Sequence, residues 1–358
     1  MAAIVGREIH LKSHPRGMPN ENDFELAEVS VPEPKEGEIL VRNIYMTVDP
    51  YMRGFMLDPN EQSRGEEFGH LVIRGREGYG RPFQLGGPPG GGSVGQVVRS
   101  NSDQCQVGDY VRGYSAWREY FVSSAEGVTK IDQTIAPIQS FLGAVGMPGQ
   151  TAYIGLLDIG EPKEGETVFV SAASGAVGSI VCQIAKIKGC RVVGSAGSDR
   201  KVSWLMETAG IDVAFNYKQI DNLEDELGRH CPDGIDVYFE NVGGEHFEAA
   251  FELMNRFGRI ALCGMISQYN DIEPTPGPKN LISAIRKRLK LQGFIVSDHM
   301  DRVPDFYADI RQWISEGKIK WEETIVEGLE NAPQAFIALF KGENMGKMIV
   351  KIGPDSVV

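Results

Sequence analysis

Residues Val168–Gly178 read VFVSAASGAVG, an apolar strand running into a turn of small residues. The spacing Ala173-x-Gly175-x-x-Gly178 lets a backbone approach a dinucleotide pyrophosphate, here with Ala in the first glycine position. Gly175, Ala176 and Val177 would form the turn, and Gly178 would let the next helix pack closely on the strand. The helix N-terminus adds free N–H groups and a positive dipole end, both suited to phosphate. A glycine pattern alone is weak evidence. Here a strand precedes it, a helical stretch follows, and a second strand comes after, which is the context the motif needs.

The end of that second strand decides which dinucleotide. An NAD site places an acidic residue there, about 20 residues on, to bind the adenosine ribose. This chain instead reads Ser195-Ala196-Gly197, followed by Ser198, Arg200 and Lys201. A hydroxyl and one or two cations suit a 2′-phosphate. Two charge-assisted hydrogen bonds of roughly 1.5–3 kcal/mol each would favour NADPH over NADH by about a hundredfold or more. Asp199 reads either as a displaced ribose-binding acid or as the cap of the next helix.

No metal chemistry is expected. The cysteines are 105, 182, 190, 231 and 263, none in a C-x-x-C pair, and a structural zinc site needs four clustered ligands. Gly69-His70 is followed by Leu71, and Met46 stands where a ligand cysteine would be expected. The scattered thiols suggest a reducing compartment, and no disulfide framework is expected. His10, His14, His230, His246 and His299 show no partner pattern and read as surface residues.

The elements that must position these residues fall into two regions. Residues 1 to about 135 are Gly/Pro-rich with short β-type runs at Glu38–Met46, Ser93–Val98, Asp109–Arg112 and Tyr120–Val122. They read as a mostly antiparallel β domain. From about residue 136, short apolar runs alternate with helix-length segments. The runs are Thr167–Val170, Arg191–Gly194, Val213–Phe215, Ile235–Phe239, Arg259–Leu262 and Gly293–Val296. That alternation predicts an α/β, doubly wound parallel sheet of six strands. Val177, Ile180, Val181, Ile184 and Ala185 share one helix face. A basic helix is predicted at Asn280–Lys290, after a loop around Pro274–Pro278. The chain ends in a strand at Lys347–Lys351. The domains are expected at 1–135, completed by 318–358, and at 136–317.

The bulk properties narrow the function. The chain has 358 residues, 42% of them hydrophobic, enough to bury a substantial core. With 36 basic and 49 acidic residues the net charge is −13, which argues against nucleic acid and anionic membranes as partners. The first 15 residues lack the apolar core of a signal peptide, and no apolar run reaches about 18 residues. A cytoplasmic protein is expected.

Taken together, the motifs TVDPYMR (Thr47–Arg53), GMPGQTAY (Gly146–Tyr153), AASGAVG (Ala172–Gly178), GSDRK (Gly197–Lys201) and FNYK (Phe215–Lys218) carry a family resemblance. NVGG (Asn241–Gly244), CGMISQYN (Cys263–Asn270), GFIV (Gly293–Val296) and NMGK (Asn344–Lys347) extend it. The chain resembles the medium-chain dehydrogenase/reductase superfamily over essentially its whole length. Within it, the chain looks most like the zinc-free double-bond reductases, which include prostaglandin, alkenal and curcumin reductases. The resemblance implies a GroES-like catalytic domain flanking a Rossmann domain, with NADPH and no metal in the cleft. It places Ser198, Lys201 and Tyr217 around the 2′-phosphate. Asn241, Cys263, Tyr269, Phe294, Val296 and Asn344 would line the nicotinamide half, with Met147 and Thr151 nearby. A homodimer pairing edges around Phe294–Val296 is also implied. The stretch Ile73–Gly92 departs from the family pattern by its length and borders the expected cleft, which leaves the substrate's size open.

The reaction so implied is reduction of the C=C bond of an α,β-unsaturated aldehyde or ketone. A hydride goes to the β carbon, the carbonyl oxygen gathers charge as an enolate, and the α carbon takes a proton. Tyr269 reads either as the enolate's hydroxyl donor, with the nicotinamide ribose as helper, or as a wall of the cofactor site. Tyr51 and Arg53 are placed facing the cleft. Arg53 either binds a substrate carboxylate or phenolate, or pairs with Asp49. A zinc-free quinone reductase and a non-catalytic NADPH-binding protein remain the competing functions.

Overall fold

The computed structural model describes residues 4–58, 80–273 and 275–355. The N-terminal region opens with an antiparallel pair, β1 (Ile4–Leu11) and β2 (Phe24–Val31). Then come β3 (Glu38–Thr47), β4 (Ser93–Ser100), β5 (Tyr110–Gly113), β6 (Tyr120–Ser124) and β7 (Thr129–Lys130). These belong to a seven-stranded sheet, and two strands from the far end of the chain complete it. β14 (Glu323–Glu327) and β15 (Lys347–Lys351) give the order β14-β15-β3-β4-β5-β7, with β6 on β3. All pairings in this sheet are antiparallel except β14 with β15.

Between them lies a six-stranded, fully parallel sheet. Its strands are β8 (Thr167–Val170), β9 (Arg191–Ala196), β10 (Val213–Asn216), β11 (Ile235–Glu240), β12 (Met254–Leu262) and β13 (Lys290–Gly293). The order β10-β9-β8-β11-β12-β13 reverses direction at β8. A parallel sheet must have both faces covered. One face carries the helix Gly178–Ile187, whose Ile180, Val181, Ile184 and Ala185 are all fully buried, as the helical spacing predicted. Each of its large aliphatic side chains contributes roughly 1.5–3 kcal/mol by leaving water. The other face packs Phe215, Phe247, Phe251 and Ile260 into a separate cluster.

The sixth strand lies three residues earlier than predicted. The basic helix before it is shorter than the sequence suggested, spanning only Ser283–Lys287, and ends where Arg288 turns left-handed at φ 52. The chain therefore enters the sheet at Lys290 and leaves it at Gly293. Phe294 turns inward instead of continuing the strand: a Cβ on Gly155 would lie 2.3 Å from its ring. Phe294–Val296 therefore do not form the sheet's edge. Lys290–Gly293 do.

The returning tail is tied to the N-terminal sheet by a buried cation. Lys347, on β15, is 3% exposed. Its Nζ donates to the carbonyls of Val48 (2.8 Å) and Met348 (2.7 Å) and pairs with Asp49 at 3.2 Å. The Thr47 hydroxyl donates to the other Asp49 oxygen at 2.6 Å. One residue earlier, Gly346 N–H donates to the Ser174 carbonyl at 2.9 Å. The tail thus binds the N-terminal sheet with one residue and the β8 turn with its neighbour. No helix of the described residues is long and apolar enough to cross a membrane.

Candidate active site

A cleft of about 1510 Å³ opens where these parts meet. Its floor is the carboxyl end of the parallel sheet, at the point where the strand order reverses and ligands of such folds bind. The turn after β8 supplies Gly175, Ala176, Val177 and Gly178 to the wall. Ala172 adopts φ 47, so its carbonyl folds back under the turn and accepts Gly175 N–H at 2.9 Å. A Cβ on Gly178 would lie 2.4 Å from that carbonyl oxygen, so only glycine permits this approach. The tail covers the turn: Gly175 bridges to Gly346, whose carbonyl accepts the Asn344 amide at 2.8 Å.

Past β9 the wall is cationic. Lys201 and Lys218 line the cleft beside Tyr217, and neither lysine has an acidic partner among the described residues. A Cβ on Gly197 would touch both Lys218 Cε and Tyr217 Oη at 3.3 Å, which shows how closely these groups converge. Burial, and then the charge of Lys218, hold the Lys201 ammonium below its ordinary pKa. Lys201 donates to the Gly342 carbonyl at 2.7 Å. Two cations brought together without an anion fit a phosphate.

Ser198 does not join the cleft wall. Its hydroxyl caps the helix Asp199–Glu207 by accepting Lys201 N–H at 3.4 Å. Asp199 is neither a ribose acid on the wall nor the cap. It lies in the first turn, where the Asn216 and Gln219 amides donate to it and hold its carboxyl low.

At the other end of the floor, Asn241, Cys263, Tyr269, Phe294, Val296 and Asn344 line the same cleft, with Met147 and Thr151 on the opposite wall. Thr151 Oγ1 donates to the Met147 carbonyl at 2.8 Å within the helix Met147–Ile154. Burial pushes the Cys263 thiol up to about 12, with Glu240 adding to the shift, so it is un-ionised at neutral pH. The Tyr269 hydroxyl accepts Met265 N–H at 3.3 Å.

Tyr51 and Arg53 separate, although two residues apart. Tyr51 lines the cleft, its hydroxyl 3.4 Å from that of Tyr114. Arg53 is 1% exposed and points the other way, donating to the carbonyls of Pro15 (2.9 Å) and Gly17 (2.9 Å) and to Asn270 (3.1 Å). It neither faces the cleft nor pairs with Asp49, which is taken by Lys347. Arg53 is a clamp between the N-terminal segment and the loop that carries Tyr269.

Two family models match the chain: an N-terminal domain of oxidoreductase over residues 7–131 and a zinc-binding dehydrogenase over residues 176–315. The NADPH-dependent curcumin reductase of Escherichia coli is 44% identical over 351 residues, 96% of each chain. Prostaglandin reductase 1 of Bos taurus is 46% identical over 347 residues, 95% of this chain and 97% of its own. The crystal structure of CurA from Vibrio vulnificus in complex with NADPH is 42% identical with a TM-score of 0.88. That match covers 97% of this chain and 99% of CurA. The chain is a medium-chain dehydrogenase/reductase of the double-bond reductase branch.

Although the second model of this superfamily is named for zinc, no three His, Cys, Asp or Glu side chains among the described residues are grouped to hold a metal ion. Met46 is buried and accepts Trp117 N–H at 3.1 Å, while His70 lies outside the described residues. Part of the lengthened stretch, 73–79, does too. Its remainder places Arg81, Phe83 and Pro88 on the cleft wall.

Sequence reasoning missed several residues of this reductase's cleft. His246 is buried on the wall, edge-on to Tyr217 at 4.8 Å between ring centres, and is not a surface residue. Burial lowers its pKa to about 4, so the ring is neutral at pH 7. Lys218 was in view, directly after Tyr217 in FNYK. Asp49 and Lys347 also reach the wall, and nothing in the motifs that carry them pointed to their pairing.

Proposed function

We propose that this chain catalyses the NADPH-dependent reduction of the C=C bond of α,β-unsaturated aldehydes and ketones. The observation that carries the reading is a single cleft with a glycine turn, a lysine couple without acidic partners at one end, and a phenol among apolar walls at the other. Lys201, Lys218 and Tyr217 would hold the 2′-phosphate, and the Gly175–Gly178 turn the pyrophosphate. Asn241, Cys263, Phe294, Val296, Asn344, Met147 and Thr151 would enclose the nicotinamide. The curcumin and prostaglandin reductases by their names, and the NADPH complex of CurA, support this assignment.

When bound, the cofactor supplies a hydride to the substrate's β carbon. The chain's part is to orient the enone, hold charge on its carbonyl oxygen and exclude water. Tyr269 presents its hydroxyl to the enolate oxygen. The α carbon then receives a proton, giving the saturated carbonyl product. Tyr51 and Tyr114, with Phe83, form the wall against which the rest of the substrate lies.

The lengthwise edge of the parallel sheet supports a homodimer. Among the described residues β13 pairs only with β12, and Leu281, Ile282 and Ile285 beside it are 54%, 55% and 72% exposed. An open strand edge next to exposed aliphatic side chains suits a second copy of the chain. The reducing cytoplasm suits its five unpaired thiols.

The decisive assay follows NADPH absorbance with an alkenal, an enone and a quinone, and with NADH in parallel. Saturated carbonyl product from the alkenal or enone, with little NADH turnover, is expected. Turnover confined to quinone would reassign the substrate, and tight binding without turnover would leave only a binding role. Lys201→Ala should raise the NADPH KM about 10- to 100-fold, for the loss of one charge-assisted contact, with NADH hardly affected. Equal losses with both cofactors would count against the 2′-phosphate assignment. Tyr269→Phe should lower kcat about 10- to 100-fold with NADPH binding intact. An unchanged kcat would make Tyr269 a wall only. Sedimentation at micromolar concentration should give twice the chain mass of 39.3 kDa, and a monomer mass would remove the dimer.

A further inference from the structure

Behind the wall of the cleft lies a carboxylate that the reading above does not use. Glu240, the last residue of β11, is fully buried. Its Oε1 accepts the Ser171 hydroxyl at 2.8 Å and Val242 N–H at 2.5 Å, and its Oε2 accepts the Tyr238 hydroxyl at 2.7 Å. Ser171 Oγ in turn accepts Asn241 N–H at 2.9 Å, and the Asn241 amide donates to the Ser171 carbonyl at 2.8 Å. The Glu240 carbonyl accepts Cys263 N–H at 3.0 Å and Gly264 N–H at 3.1 Å. Val242 N–H donates to the carboxyl group, and the Ser171 and Tyr238 hydroxyls lie where they can donate to it, which suits an ionised carboxylate. Burial, the largest effect, leaves its pKa raised, and these donors, with Gly243 N–H, oppose the rise. Its bonded partners are hydroxyls and a backbone N–H group, not cations. The charge is therefore screened by dipoles and left uncancelled.

The sheet order fixes which end of the cleft feels that charge. The lysine couple lies at the β9–β10 side and the glycine turn at β8. A dinucleotide laid across the switch point must place its second half over β11 and β12. Those strand ends carry Asn241 and Cys263, both on the cleft wall and both bonded to Glu240 or to its partner Ser171. The field of Glu240 reaches the cleft side, since it helps to raise the Cys263 thiol. A nicotinamide ring is positively charged only when oxidised, so a fixed negative charge behind it distinguishes the two redox states.

We propose that Glu240 is a positioning residue that holds the Asn241–Gly244 turn and, by its charge, favours NADP+ over NADPH in the bound state, easing hydride release. The proposal rests on the nicotinamide lying at this end of the cleft, as assigned under the proposed function.

The test is calorimetric titration of the full chain with NADP+ and with NADPH, without substrate. In Glu240→Gln, NADP+ should weaken about tenfold more than NADPH, the scale of one buried charge acting across a protein wall. Glu240→Asp, which keeps the charge, should hold the wild-type ratio within about twofold. Tyr238→Phe keeps the ring and removes one screening donor. It should move the ratio the same way as Glu240→Gln, because losing a donor that favours the ionised carboxyl eases its protonation, and it serves if that variant does not fold. Equal weakening of both ligands in Glu240→Gln, or a ratio unmoved in Tyr238→Phe, would overturn the electrostatic role. Failure of the wild-type chain to bind either nucleotide would instead refute the cofactor assignment itself.

Discussion

The cleft depends on the return of the chain's tail, and the tail is held by one buried ammonium. Lys347 directs its protons to two carbonyls and to Asp49, inside a protein where an isolated charge would be costly to bury. A buried ion pair does not by itself add much stability. Removing one partner, however, strands the other, so the pair fixes which arrangement the chain adopts. What it fixes is specific: β15 beside β3, Gly346 against Ser174, and the Thr47–Tyr51 segment facing the glycine turn. Without that register the N-terminal sheet would have no reason to present Tyr51 to the dinucleotide floor.

The charges around the cleft follow a division that the net charge of −13 conceals. An acidic surface disfavours polyanions in general, while Lys201 and Lys218 bring two cations together at one place on the cleft wall. At the opposite end Glu240 lies behind the wall, held by hydroxyls and a backbone N–H group and not by a cation. The two ends are thus polarised in the sense of a ligand that is anionic at one end and becomes cationic at the other. Hydrogen bonding keeps these charges tolerable. Ser171, Tyr238 and the Val242 N–H do for Glu240 what water would do outside.

Much of this was legible in the sequence. Periodicity located the helix face on Ile180, Val181 and Ile184, and five of the six parallel strands, because alternation of apolar runs is a local signal. The glycine turn was legible because steric need dictates residue type there. The sixth strand was misplaced, since GFIV is as β-like as KLQG, and the choice was made by Arg288 ending the helix and by Phe294 packing over Gly155. Arg53 and Tyr51 share a motif, yet a short helical turn sends them to opposite sides. No pattern in one strand reveals which buried carbonyls wait for a guanidinium from another. His246 was misjudged for a similar reason: its burial comes from packing against Tyr217, which belongs to a different element far away in the chain.

The walls near Tyr51 differ in kind from those near Lys201, and this bears on what enters. The nucleotide side is built from backbone groups and short side chains, which fix a ligand's outline closely. The outer side is built from the rings of Tyr51, Tyr114, Phe55 and Phe83, and Phe55 meets both Tyr51 and Phe83 edge-to-face. Such rings offer area without many directional bonds, so they accept substrates of varied shape provided these are apolar. Arg81 adds a cation at that rim, with Phe83 two residues further on, both from the stretch that lengthens this chain relative to its family pattern. A close fit and a broad apolar surface are therefore properties of different walls. Tyr269, on the loop after β12, and Tyr51, just after β3, line the same cleft, so a closely fixed wall and a broad aromatic one enclose one space.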